Sequence, residues 1–212
     1  MHDETVELVT QAVNVLSAPL WEAQSSAMSE TAIRCEGLNP HDHLSTWAHM
    51  TRSTMRLALE GSDLPEGWTV GGNPRKNELY LVNDQMRLRY LKESRAAYPG
   101  GVPAAGSSMA RRAYWAQPLF ETDRAGSRAS GCDAIDLLLL WGYSQQDADD
   151  GFTMRVVHTT GVGRIGQRTP LDLSIAVTPT VGLEGGLRFN AQTESTNFFA
   201  WLDEDMNRND VG

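Results

Sequence analysis

Apolar residues recur at spacings of three and four through the first third of the chain and at alternating positions after Trp68. Val6, Val9, Val13 and Leu16 form one stripe, the pattern of a helix that buries a single face. Ser17 before Ala18-Pro19 reads as an N-cap, because proline costs nothing in a first helical turn. A second helix is therefore predicted through Trp21, Ala27, Ala32 and Ile33. A third has Asn39 as its cap, Pro40 at the first position, Asp42 in the first turn and Gly61 as a left-handed closing residue. Leu44, Ala48, Thr51, Met55 and Ala58 form its inner stripe, and Arg52 and Arg56, one turn apart, are read as solvated or as extending a basic surface.

Period two begins at the segment ELYLVNDQMRLRYLK. Leu79 and Leu81 alternate with Tyr80 and Val82, Asn83-Asp84 supplies turn chemistry, and Met86, Leu88 and Tyr90 alternate with Arg87 and Arg89. A hairpin with one apolar face results, and it carries Arg87 and Arg89 side by side on the other. Two like charges so placed repel unless an anion meets them. Residues 94–131, rich in glycine, alanine, serine and proline, read as a long loop with one short helix before Pro118; that helix carries Arg111 and Arg112 beside Tyr114 and Trp115. Tyr114, Trp115, Leu119 and Phe120 would otherwise anchor the segment to the core.

The last third predicts sheet. CDAIDLLLLWGY is apolar at consecutive positions from Leu137, as in a central strand covered on both faces. FTMRVVHTT, PLDLSIAVTPT and GGLRFNA follow, joined by short or moderate turns, so consecutive antiparallel neighbours are the default. The tail STNFFAWLDEDMNRND reads as a short amphipathic helix with Phe198, Trp201 and Leu202 inward. The fold class predicted is α+β: N-terminal helices, then a largely antiparallel β-sheet with a short C-terminal helix. A helical subdomain (1–66) and a β-rich domain (67–212) with its long basic loop at 94–131 would form one compact unit.

Charge changes the picture. Residues 1–74 hold ten acidic and three basic side chains, residues 75–128 five and ten, and residues 129–212 twelve and five. The balances of −7, +5 and −7 sum to the net −9, so a basic middle lies between acidic flanks. Sixteen of the eighteen basic residues are arginine, which suits a high-GC gene and also planar, bidentate recognition. The N-terminus, MHDETVELV, carries three carboxylates where a secretion signal needs positive charge and an apolar run. The longest apolar run, Leu137 to Trp141, is too short to cross a membrane, and Cys35 and Cys132 lie far apart without a CxxC. These features predict a cytoplasmic protein with reduced thiols and no membrane association.

Apparent motifs resolve into simpler readings. Gly161-Val162-Gly163-Arg164-Ile165-Gly166 has the letters of a dinucleotide loop, but it leads into another alternating segment rather than a helix, so it reads as a turn between strands. His41 and His43 would point some 200° apart on a helix, and His49 lacks further ligands at zinc spacing. Asp147, Asp149 and Asp150 before Gly151 lack the distal glutamate of a calcium loop. His158 with Ser174 or Thr160 has no glycine-flanked nucleophile elbow. A metal-dependent nuclease would draw on Asp133, Asp136, Glu78 and Lys92, without the acid-x-lysine spacing of restriction-type enzymes. Phe198, Phe199, Trp201 and Leu202 before Asp203, Glu204 and Asp205 pack on the sheet or dock as a helix in a partner's groove.

The hairpin MRLRYLKESR, a loop and then the LLLLWGY strand give a layout that resembles uncharacterised proteins of actinobacteria and their prophages, over residues 70–165. The resemblance implies a mobile-element setting and no known activity. No catalytic residue, metal ligand or cofactor is assigned. The function expected is a non-enzymatic binding or regulatory protein that contacts a protein partner through Arg87, Arg89, Arg111, Arg112, Tyr114 and Trp115. The alternatives are a nucleic-acid-binding regulator using the same basic segment, and the nuclease. A homodimer that sets basic middle against acidic flank is compatible with the charge pattern.

Overall fold

A computed structural model describes residues 2–39, 42–117, 134–143 and 151–179. The expected GGLRFNA strand, the C-terminal helix, Cys132, Asp133, His41, Pro40 and the Asp147–Asp150 turn lie outside the described residues. Two long helices cover one face of a six-stranded sheet, and the segment after the third strand covers the other. The α+β class holds.

Helix α1 runs without a break from His2 to Arg34, so the expected two helices are one, and Ser17 is an interior residue rather than a cap. The buried stripe Val9, Val13, Leu16, Leu20, Ala23 and Ala27 continues straight across Pro19. Packing of that stripe on the sheet outweighs the hydrogen bond that proline lacks. Ser17 Oγ instead donates to the Val13 carbonyl at 2.8 Å. Ile33, near the end of α1, is 68% exposed.

Helix α2 spans Leu44–Glu60 with His43, not Asn39, as the residue before it. Gly61 does end the helix, but at φ −93°, not in the left-handed region. Its buried face is Trp47, Thr51, Thr54, Met55 and Leu59. The two helices approach closely through hydroxyls: Thr31 and Thr54 lie 3.1 Å apart, and Thr54 Oγ1 also reaches the Ala27 carbonyl at 3.1 Å. Arg52 and Arg56 are partly buried and bonded to backbone carbonyls rather than freely solvated. Arg56 donates to the carbonyls of Gly71 (2.7 Å) and Glu78 (2.5 Å), and Arg52 to that of Asn77 (3.2 Å), fastening the 71–78 connection to the helix layer.

The strands are β1 (Thr69–Gly71), β2 (Tyr80–Val82), β3 (Met86–Lys92), β4 (Ile135–Tyr143), β5 (Phe152–Thr159) and β6 (Leu171–Val177), in that spatial order. The predicted hairpin is β2–β3, with Asn83 Oδ1 accepting from the N–H groups of Gln85 and Met86 across its turn. Every pair is antiparallel except β3–β4, which is parallel. Parallel neighbours need a crossover, and the connection 93–134 is long enough to supply one. Within it, helix α3 (Met109–Trp115) forms where the short helix was expected.

β4 is central and buried on both faces, as its unbroken apolar run predicts. Leu137, Leu139 and Trp141 join the core beneath α1 and α2; Leu138 and Leu140 join a second core with Val102, Ala105, Tyr114, Trp115 and Val157. The Gly161–Gly166 sequence is the connection between β5 and β6, where Gly163 has φ +65° and an added Cβ would lie 2.3 Å from Thr169 Oγ1. Among the described residues, no helix is long and apolar enough to cross a membrane.

Pro19→Ala restores a backbone N–H inside α1. Stability in urea is expected to rise by about 1–3 kcal/mol; a loss would mean that packing of the proline ring matters more than the missing bond.

Candidate functional site

The second face of the sheet carries most of the residues singled out in the sequence. Strand alternation places Arg87 and Arg89 together there, and α3 lies over them. At seven residues α3 is too short to hold itself in water. Two side chains seat it. Tyr114 and Trp115 are 5% and 2% exposed. The Tyr114 hydroxyl lies 2.7 Å from the carbonyl oxygens of both Arg87 and Leu137 and shares its proton between them; Trp115 Nε1 donates to Pro103 O at 2.9 Å, and Thr159 Oγ1 donates to Trp115 O at 2.7 Å. Burial pushes the Tyr114 hydroxyl well above its usual pKa, so it remains a donor.

Guanidinium groups and rings interleave at this interface. Arg87 Cζ lies 4.9 Å from the Tyr114 ring centre and 5.8 Å from that of Tyr80; Arg89 Cζ lies 5.3 Å from Tyr80 and 5.7 Å from Trp115. Tyr80, which sequence reading treated only as a strand residue, is the ring both arginines share. Arg87 also makes a two-pronged pair with Asp136, Nε to Oδ1 at 2.8 Å and Nη2 to Oδ2 at 2.9 Å. Parallel pairing of β3 with β4 sets Arg87 opposite Asp136, so this partner follows from topology. Among the described residues, Arg89 has rings but no carboxylate beside it. Arg111 and Arg112 are exposed on α3. Of the six expected contact residues, four are thus assembled into one laminated layer and two stand outside it.

A second buried charge holds the start of the crossover. The Glu93 carboxylate accepts from Arg155 Nε at 2.6 Å and Arg95 Nε at 2.9 Å, while its N–H donates to Trp141 O at 2.7 Å. Arg155 also donates to the Gly100 carbonyl. Gly101 is required beside it: φ is +80°, and a Cβ would lie 2.9 Å from Glu93 Oε2.

The other candidate groups that the structure describes lie apart from one another. Lys92 sits over Tyr143 and Trp141 on the helix-facing side of the sheet, whereas Asp136 faces α3, so these two members of the nuclease set lie on different faces. His158 is 1% exposed, with Nδ1 2.6 Å from Asp172 Oδ1 and Nε2 sealed without a partner among the described residues; neither Ser174 nor Thr160 bonds to it. His49 Nδ1 lies 2.8 Å from Asn77 Nδ2 and steadies that residue at φ +51°. Among the described residues, no three His, Cys, Asp or Glu side chains group as a metal site.

Glu93→Gln leaves two guanidiniums short of charge and is expected to cost about 2–4 kcal/mol in urea, most of it through Arg155, since the half-exposed Arg95 adds little. The exposed Glu66→Gln is the control, with an effect within about 0.5 kcal/mol.

Burial raises the Asp136 carboxyl pKa by more than Arg87 and His158 lower it. On Arg87 burial acts downward, but Asp136 with Tyr114 and Tyr80 together outweigh it and the guanidinium ends above its usual value. The folded chain therefore binds the Asp136 proton at a higher pH than the unfolded chain, so this group's contribution to stability falls as pH rises. Measured against Asp136→Asn, wild-type unfolding free energy should decline as pH climbs from the ordinary carboxylate range through the raised value. A flat or rising difference over that interval would contradict the assignment.

Compared with known proteins, the chain matches no family model, and no curated protein or solved structure is significantly similar to it.

Proposed function

We propose that this chain is a non-enzymatic binding protein, acting in the cytoplasm in the mobile-element setting implied by the resemblance over 70–165, that holds an acidic face of a protein partner against Arg111 and Arg112. The observation that carries this reading is the division of labour on α3: Tyr114 and Trp115 are buried anchors, while Arg111 and Arg112 are exposed. A helix seated by two buried aromatic residues presents its charges with little left to order on binding. Arg87 stands beneath with its side chain 42% exposed and Asp136 as counter-ion, so it adds less to the outward charge than its place in the basic middle suggests.

The same observation weighs against single-stranded nucleic acid. Base stacking needs open rings, and the faces of Tyr114 and Trp115 are taken by Arg87, Arg89 and each other. Nucleic-acid binding would then rest on phosphate contacts alone, with a steep salt dependence.

The test is capture by the wild-type chain and by Arg111→Glu/Arg112→Glu, each with and without nuclease. Since both residues are exposed, the variant should keep its unfolding midpoint and lose capture by about tenfold or more. Capture that vanishes on nuclease treatment would favour the nucleic-acid reading. Equal capture by the variant would end both.

A further inference from the structure

The crossover segment and the β5–β6 connection are fastened into one surface. Gly166 N–H donates to the Ala97 carbonyl and Ala105 N–H to that of Val162, both at 2.9 Å, and Thr169 Oγ1 donates to the Val102 carbonyl at 3.0 Å. Arg168 Nε would lie 3.3 Å from a Cβ on Gly100, and Arg111 Nη1 would lie 4.0 Å from one on Gly106, the neighbour of Ala105. Residues 94–117 and 160–171 contain Arg95, Arg111, Arg112, Arg164 and Arg168 but no aspartate or glutamate, in a chain whose net charge is −9. The carboxylates at the borders are already engaged: Glu93 with Arg95 and Arg155, Asp172 with His158, and Asp136 with Arg87. Arg111, Arg112, Arg164 and Arg168 are exposed and make no ion pair among the described residues. The two most exposed large apolar side chains of the described residues, Met109 at 86% and Ile165 at 79%, belong to the same two segments.

Cations without counter-ions and open apolar side chains on one surface define the chemistry that would cover it. A phosphate backbone would meet the arginines and leave Met109 and Ile165 in water. A peptide segment whose carboxylates are interspersed with apolar side chains would meet both. We infer that Met109, Arg111, Arg112, Arg164, Ile165 and Arg168 form one docking surface for an acidic segment of a protein partner that also carries apolar side chains. The inference rests on the partner contact proposed for α3 and deepens it: the β5–β6 connection, by sequence a turn between strands, supplies the second part of that contact. The three hydrogen bonds between the connections hold the surface in place, so docking has little backbone left to order.

Fluorescence anisotropy on the whole chain tests it with a dye-labelled peptide in which glutamate alternates with leucine and phenylalanine. Its companions are a version with serine at the apolar positions and a single-stranded oligonucleotide of equal length. The first peptide is expected to bind wild type, and Arg164→Glu/Arg168→Glu to weaken it by about tenfold or more. Ile165→Ser should weaken it by about threefold or more. All three residues are exposed, so the unfolding midpoints of these variants should match wild type. Should Arg168→Glu disturb its packing on Gly100 and fail to fold, Arg164→Glu and Ile165→Ser carry the test, each with weaker binding expected. Arg111→Glu/Arg112→Glu tells the two readings apart. Weakening by that variant, but not by Arg164→Glu/Arg168→Glu, would overturn the joined surface and leave the α3 contact standing; weakening by neither would end both. Failure of the first peptide to bind wild type, equal binding of the serine version, undiminished binding by Ile165→Ser, or tighter binding of the oligonucleotide would each overturn the inferred partner chemistry.

Discussion

Strand β4 runs parallel to β3, and much else follows from that one pairing. A parallel neighbour cannot be reached by a tight turn, so the chain must travel back along the sheet before β4 begins. Part of the returning segment lies on the face opposite α1 and α2, where Val102, Ala105, Tyr114 and Trp115 close over Leu138, Leu140 and Val157. Without that cover, the apolar residues of β4 would be half exposed and α3 would have nothing to pack on. The same pairing sets Asp136 opposite Arg87, which gives the first of the two hairpin arginines its counter-ion.

Charge in this layer is matched unevenly. Glu93 is buried and shared by Arg95 and Arg155, tying the start of the crossover to β5. Arg87 and Asp136 are paired, although burial of the carboxylate costs more than the pairing recovers at that group. Arg89, two residues from Arg87 and on the same face, lies against the rings of Tyr80 and Trp115. Neighbours on one face of one strand thus differ in what surrounds them, a carboxylate for Arg87 and aromatic rings for Arg89. The basic middle of the chain is thus not one uniform patch: Arg87 is paired with Asp136, Arg89 lies among rings, and Arg111 and Arg112 are exposed on α3.

Much of the fold is legible in local pattern. The alternation from Leu79 to Tyr90 predicts the hairpin and its apolar face, the unbroken Leu137–Trp141 run predicts a strand buried on both sides, and the length of the crossover segment marks it as more than a connection. Pro19 misleads because the rule for proline at helix starts is local, whereas the stripe from Val9 to Ala27 is held by a sheet that local rules do not see. Arg52 and Arg56 mislead for a related reason. Their partners are the backbone carbonyls of Gly71, Asn77 and Glu78, and carbonyl positions have no signature in side-chain sequence.

By itself, then, the order of residues determined the helical first third, the β2–β3 hairpin and the doubly buried β4, which faces of these are apolar, and that Arg87 and Arg89 share a face. These depend on periods of two and of three to four, which a chain carries whatever it later packs against. Only the tertiary structure decided that Arg87 meets Asp136 while Arg89 meets the rings of Tyr80 and Trp115, and that Tyr114 and Trp115 are anchors rather than open rings. The physical reason is that electrostatic matching depends on distance and burial across elements remote in sequence, and those are set by the parallel pairing and the crossover it demands.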